Sequence, residues 1–375
     1  MKALEVHAGP GALKHLLEHG LKPGHVHAIP AAAGGPKGLI LNPLDRYLFG
    51  EWFAGSSHTV HLLGASIGAW RMATACLAEA PCDAEAAFAQ MAHDYIHQTY
   101  EHAPGRPPAA RHVSEVFGAL LARRFGDREA QVLSHPRYRL HVFTSRGRHL
   151  LRREGRAFSR MSTPLGYLGA FASNAISRRA MGAWLERVIF SDPRDALPLH
   201  LHDYRTRTVA LSAANLQPSL LASCSIPFWL DAVHDIAGAP AGAYWDGGIT
   251  DYHLHLNYAS MNRAVASEQG SERALVLYPH FQRTVIPGWL DKALRHRHRA
   301  TAYLDNVVVL SPSPEWVRTL PGGKLPDRSD FKHYGDDLAG RVAAWTHAVR
   351  ESERLRDEFA AWTQGARDIE LRPLV

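Results

Sequence analysis

Residues 64–68 read Gly-Ala-Ser-Ile-Gly, between the apolar run HLL (61–63) and a stretch rich in small residues, AWRMATACLAEA (69–80). A serine between two glycines at a strand-to-helix junction has the spacing of a nucleophile elbow. There a sharp turn lifts the hydroxyl out, and the flanking positions must be small because the backbone crowds itself. The helix that follows directs its positive N-terminal end at Ser66, which favours an oxyanion beside it. The chemistry so implied is acyl transfer through an ester formed on Ser66. The bland alternative is a glycine-rich turn carrying an incidental serine.

Acyl transfer also requires backbone N–H groups aimed at the developing oxyanion. Upstream lies AAAGGPKGL (31–39), a second glycine turn between an expected strand and an expected helix. Gly34 and Gly35 allow close approach of the backbone to a ligand. Pro36 donates nothing but suits the first turn of a helix, and Lys37 adds a cation. The stretch is not a P-loop, because the spacing Gly-x-x-x-x-Gly-Lys-Ser/Thr is absent. It is not a Rossmann fingerprint either, since Ala33 stands at the first glycine.

The elements that must position these turns alternate along the chain. Strands are expected within 25–35, at 58–66, as a pair with a basic turn over 138–155, and at 243–248, 273–279 and 306–312. Pro30 argues against a central place for the first of these, because it removes a ladder hydrogen bond. Helices are expected at 11–19, 37–53, 67–80, 83–102, 112–125, across most of 157–190, within 208–230 and over 335–363. Such alternation predicts an α/β fold with a mostly parallel central sheet covered on both faces. In such folds, sites lie at the carboxyl ends of the strands. The expected organisation is one domain over 1–375, with a helical insertion or lid near 81–130 and C-terminal strands and helix, 270–375, packed on the same domain. The Pro-rich stretch HAPGRPPAAR (102–111) reads as a hinge.

A chain of 375 residues with 46% hydrophobic and 21% charged residues can bury a sizeable core. Its three cysteines are too few and scattered for a disulfide framework. The first twenty residues lack the basic start and apolar run of a secretory signal, and no run of about 18 apolar residues occurs. The expectation is a cytoplasmic protein with reduced thiols. Its formal charge of +6 favours anionic partners weakly.

Taken in order, four blocks resemble the patatin-like phospholipases: AGGPKG (33–38), GASIG (64–68), LLASCSIPFWL (220–230) and WDGG (245–248). They span a core of about 25–255. The resemblance implies a patatin-type open α/β/α sandwich and hydrolysis of lipid acyl esters, such as phospholipids or lysophospholipids, without metal or cofactor. It makes Ser66 the nucleophile and Asp246 the general base of a serine–aspartate dyad. Gly34, Gly35 and Gly38 become the oxyanion donors, and Lys37 and Ile67 the substrate contacts. An aspartate partly desolvated at a tight turn can have a raised pKa and take the serine proton directly. Three positions depart from the family pattern. Ala33 replaces a glycine, Ile67 replaces a small residue and narrows the acyl pocket, and ITDYHLH (249–255) replaces the segment expected after Asp-Gly-Gly.

Two other readings compete. A Ser-Asp-His triad would draw on His253, His255 or His280, but with 24 histidines in the chain a downstream one carries little information. A catalytically silent lipid-binding protein of the same fold is the other, supported by Ile67 and the altered segment. The pairs His25/His27, His200/His202, His253/His255 and His296/His298 lack the cysteines or carboxylates that would complete a metal site. The basic stretches DKALRHRHRA (291–300) and SRGRHLLRREGR (145–156) read as solvated faces, with peripheral docking to an anionic membrane surface as the alternative. No nucleic-acid recognition motif accompanies them.

Overall fold

A strand covered on both faces must be apolar on both, and the runs VVVL (307–310) and LVLY (275–278) meet that condition. A computed structural model of the chain describes residues 1–78, 80–102, 106–154, 159–262, 274–366 and 368–375. Among them are eleven strands: β1 Leu4–Ala8, β2 Val26–Ala31, β3 Val60–Ala65, β4 Tyr138–Gly147, β5 Leu185–Ser191, β6 Thr206–Ala210, β7 Val233–His234, β8 Ala243–Asp246, β9 Leu275–Pro279, β10 Val307–Pro312 and β11 Leu371–Pro373. They form one sheet with a main ladder β11-β1-β10-β9-β2-β3-β4-β5-β6, and β7 and β8 join off that path. Within the ladder only β1–β10 and β4–β5 are antiparallel. Every residue of β3, β5, β9 and β10 is buried, so helices and loops cover both faces. This is the α/β sandwich with a mostly parallel sheet that the alternation predicts.

Pro30 does lie in a central strand, paired with Leu63 of β3. The pairing of β2 with β9 covers Val26 and Ala28, across a bulge, and has ended before Pro30. The missing N–H therefore falls where the neighbour on that side has already departed.

Three expectations need correction. The strand pair over 138–155 is one ten-residue strand, β4, followed by a short 3-10 turn, His149–Leu151. One of its two antiparallel partners is β5, inside the stretch expected to be helical; the long helix there ends at Ile176. The long helix over 335–363 is two, Leu338–Glu351 and Glu353–Thr363, broken at Ser352. The region 81–130 is helical, with Pro81–Ile96 and Ala110–Phe125 as its main elements. Glu79, residues 103–105 of the proline-rich stretch, 155–158 after the basic turn, and Arg273 ahead of β9 lie outside the described residues. No helix among the described residues is long and apolar enough to cross a membrane.

Candidate active site

Ala31 of β2 pairs with Gly64 of β3, so the two strands end level and both glycine turns emerge at one edge. Beyond β3 the chain turns at Ser66, whose φ of 56° and ψ of −129° lie where a side chain is rarely tolerated. Strain of this kind persists only where the surroundings over-determine it, at about 1–3 kcal/mol per residue. The helix Ile67–Ala75 starts at once, and its Ala69 and Trp70 N–H groups donate to the Ser66 carbonyl at 2.9 and 3.3 Å. Gly68 is required by close approach: a Cβ there would stand 1.9 Å from the carbonyl oxygen of Ala31.

Asp246 arrives by a different route to the same place. The first part of β4 pairs with β3 as far as Phe143, opposite Ala65. From Thr144 onward the strand pairs instead with β8, which runs the opposite way and ends with Asp246 opposite Thr144. Thus β3 and β8 meet head to head along β4, and Ser66 and Asp246 are the residues at the junction. The Ser66 hydroxyl donates to Asp246 Oδ2 at 2.6 Å. The other carboxylate oxygen accepts the Gly248 N–H at 2.7 Å. Both side chains are buried, at 4% and 5% exposure. Burial raises the Asp246 pKa above the ordinary carboxylate value; Arg328, the serine hydroxyl and the Gly248 N–H oppose that shift without cancelling it.

The block LLASCSIPFWL closes the junction. Ser223 Oγ accepts the Ser66 N–H at 2.9 Å and donates to the Phe143 carbonyl at 2.7 Å. The Ser223 carbonyl accepts from Gly247 at 3.1 Å, and the Ser225 carbonyl accepts from Asp246 at 2.8 Å. Ser66 spends its own N–H on Ser223 and so has none to offer a bound group. Gly34 and Gly35 open the 3-10 helix Gly35–Leu41, where N–H groups have no intrahelical acceptor, and Gly35 sits at φ +58°. Gly38 packs under Ile67, whose Cγ atoms would stand 3.3 Å from a Cβ at 38. The Ala33 methyl fits because Gly248 has no side chain; a Cβ at 248 would lie 2.5 Å from it.

Two cavities flank the dyad. The smaller, of about 330 Å³, is lined by Gly35, Ser66, Ile67, Trp70, Tyr95, Tyr100, Val113, Phe117 and Leu230, with Gln98, His102, Asp336 and Arg341 among its polar residues. The larger, of about 600 Å³, is lined by Gly34, Asp246, Lys37, Lys292 and the rings of Tyr167, Phe228 and Trp289. Ile226, Trp229 and Arg328 line both and so form the partition. The expected helical insertion thus supplies Tyr95, Val113 and Phe117 to the wall of the smaller cavity.

None of the three downstream histidines bonds to the Ser66 hydroxyl, which donates to Asp246. His253 Nδ1 accepts from the Ile286 N–H at 3.0 Å, and His280 Nδ1 from Gln282 at 3.0 Å. His255 bonds the Thr301 hydroxyl at 2.9 Å. Burial lowers all three pKa values, that of His255 to about 4 and that of His280 to about 3. Among the described residues no three of His, Cys, Asp and Glu gather as a metal-binding group.

The stretch 291–300 is only partly a solvated face. Asp291 is fully buried, and Arg178, Arg297 and Asn174 converge on it at 2.7, 2.9 and 2.8 Å. In ITDYHLH, Asp251 binds the buried Arg187 and accepts from the Tyr204 hydroxyl at 2.7 Å.

Sequence reasoning missed Ser223, Cys224, Lys292 and Arg328 as site residues. Cys224 lines the smaller cavity; burial, then the nearby Asp246, pushes its thiol well above the ordinary pKa. Ser223 and Cys224 lie inside a block the sequence singled out, whereas Lys292 and Arg328 carry no local signal.

The chain matches no model of a known protein family, and no curated protein matches it significantly.

Proposed function

We propose that the protein is a serine hydrolase of the patatin-like kind, cleaving carboxylic esters of lipids through the Ser66–Asp246 dyad. The observation that carries this reading is the 2.6 Å hydrogen bond from the Ser66 hydroxyl to Asp246, made at a positive-φ elbow in a buried site. Ser66 Oγ attacks the ester carbonyl while its proton passes to Asp246, whose raised pKa suits it to hold that proton. The N–H groups of Gly34 and Gly35 stabilise the oxyanion. Collapse breaks the bond to the alcohol, which leaves with the proton from Asp246. Asp246 then takes a proton from water, and the resulting attack releases the acid and restores Ser66.

Lipid substrates are favoured by the apolar lining beside Ser66 and by the rings at the mouth of the larger cavity. Phe228, Trp229 and Trp289 are 63%, 53% and 52% exposed there, and such rings suit a membrane interface. Peripheral contact with an anionic membrane would bring them to the lipid. The departures that favoured a silent fold have occupations of their own: Ile67 packs on Gly38, and Asp251 pairs with Arg187.

The test is the mass of the protein and its peptides after exposure to a fluorophosphonate probe. A single adduct on Ser66, absent in Ser66→Ala, is the expected result. No adduct with or without detergent would remove the hydrolase reading and leave lipid binding alone.

A further inference from the structure

Lys37, Lys292 and Arg328 come from three separate parts of the chain and line the larger cavity together. Lys37 follows the oxyanion turn, Lys292 follows the short turn Trp289–Asp291, and Arg328 precedes the helix Ser329–Tyr334. Among the described residues none of the three has a carboxylate within ion-pair distance. Lys37 and Lys292 instead lie over the rings of Phe281 and Tyr252, at 5.5 and 4.9 Å. The two carboxylates of this cavity are already engaged: Asp246 with Ser66 and Gly248, Asp327 with Lys324 at 2.8 Å and the Ser329 N–H at 2.8 Å. Nearby, the chain pairs its other cations. Arg178 and Arg297 are both held by Asp291. Burial, together with repulsion from Lys37 and Arg328, lowers the pKa of Lys292; burial, with repulsion from Lys324 and Arg328, lowers that of Lys37 against the pull of Asp327.

Lys37 is half-buried and Lys292 and Arg328 are exposed, so three cations without an ion-pair partner among the described residues line one cavity that solvent reaches. We infer that the larger cavity is an anion subsite that holds a phosphate group on the alcohol half of the ester, while the acyl chain occupies the smaller cavity. This inference rests on the hydrolase reading above. A phosphate offers several acceptor oxygens to one guanidinium fork and two ammonium groups. A phosphate monoester, with up to two negative charges and no cation of its own, complements three cations better than a zwitterionic phosphocholine ester, and both do so better than a neutral glycerol ester, so that is the expected order of preference. Arg328, on the partition, marks where the acyl half ends and the charged half begins. In the reaction the bond between acyl carbon and alcohol oxygen breaks, and the phosphorylated alcohol leaves through this side with the proton from Asp246.

The experiment compares kcat/KM for three short-chain, monomeric esters of one acyl group: acylglycerol phosphate, acylglycerol phosphocholine and monoacylglycerol. The phosphate ester should exceed the neutral ester by about tenfold or more, the worth of one charge-assisted hydrogen bond. Lys292→Met, and Lys292→Met with Arg328→Gln, should bring that ratio towards one. A wild-type ratio near one, or a ratio the variants leave unchanged, overturns the subsite without touching the dyad.

A second measurement does not depend on turnover: calorimetric binding to the full chain carrying Ser66→Ala. Glycerol 3-phosphate should bind, glycerol should not, and Lys292→Met should weaken the former. No binding of any phosphate overturns the inference even if the fluorophosphonate labels Ser66. Inorganic phosphate binding as tightly as glycerol 3-phosphate overturns the assignment to the alcohol half, because the site would then serve a free ion.

Discussion

The cavity beside Ser66 and the cavity beside Asp246 share a wall and little else. Ile67, Trp70, Val113, Phe117 and Leu230 give the first an apolar side, drawn largely from helices of the 67–125 region, and Gln98, His102, Asp336 and Arg341 stand among its polar residues. The second mixes Lys37, Lys292 and Arg328 with aromatic rings and is built mostly from turns in the C-terminal half. Ser66 and Asp246 thus sit between a space walled mainly by apolar side chains and one that carries two lysines. The ester bond of an amphiphile lies on the same kind of boundary. Under the proposed hydrolase reading the difference would orient a substrate before any chemistry begins, and it can be broken from either side or at the dyad itself.

Removing the dyad should erase the consequence of having two sides. Ser66→Ala and Asp246→Asn should each lower initial rates of fatty-acid release by on the order of 10⁴-fold, since members of such a unit fail together. Filling the apolar side is the next largest effect. Val113→Phe should cost long-chain esters about tenfold or more in kcat/KM while short-chain esters turn over nearly as before, in line with the value of a few methylenes in a hydrophobic pocket.

Acid should act on the base alone. Asp246 must be ionised to accept the proton, and its pKa is raised, so kcat/KM should fall on acidification at a midpoint above the ordinary carboxylate value. Stability has the opposite sign. A carboxyl with a higher pKa when folded binds more protons in the folded state, so its cost is absent below the unfolded value and present above the folded one. Asp246→Asn should consequently melt higher than the wild type at neutral pH, with the gap closing as pH falls. The smallest effect belongs to Ser223→Ala, which leaves the Ser66 N–H without its acceptor; a loss of about 1–3 kcal/mol in chemical denaturation is expected.

The sequence exposes the two turns plainly because each is a local device. Gly64, Ser66 and Gly68 are needed within five residues by one bend, and Gly34 and Gly35 by another. The apolar runs of β3, β9 and β10 are equally local. By contrast, LERVIFS (185–191) carries a glutamate and an arginine that look like surface residues of a helix. Glu186 is in fact buried against Arg146 and Arg205, and Arg187 against Asp251 and Asp203, partners far along the chain. The same reason hides Lys292 and Arg328. Each is an ordinary basic residue in its own neighbourhood, and only the folding of the C-terminal half over the sheet brings them to one cavity. The aspartate lay between these cases: its Asp-Gly-Gly turn is visible, but its partnership with Ser66 depends on two strands meeting along a third.

That meeting has a thermal consequence. The separation of the two reacting side chains is fixed by one peptide step on β4, a strand with neighbours on both edges, and not by a hinge or a loop. Local fraying, which begins at termini and exposed turns, leaves such a pair undisturbed. On slow heating, reactivity of Ser66 toward a small probe should persist until the sheet itself melts, so that inactivation and cooperative unfolding share one midpoint.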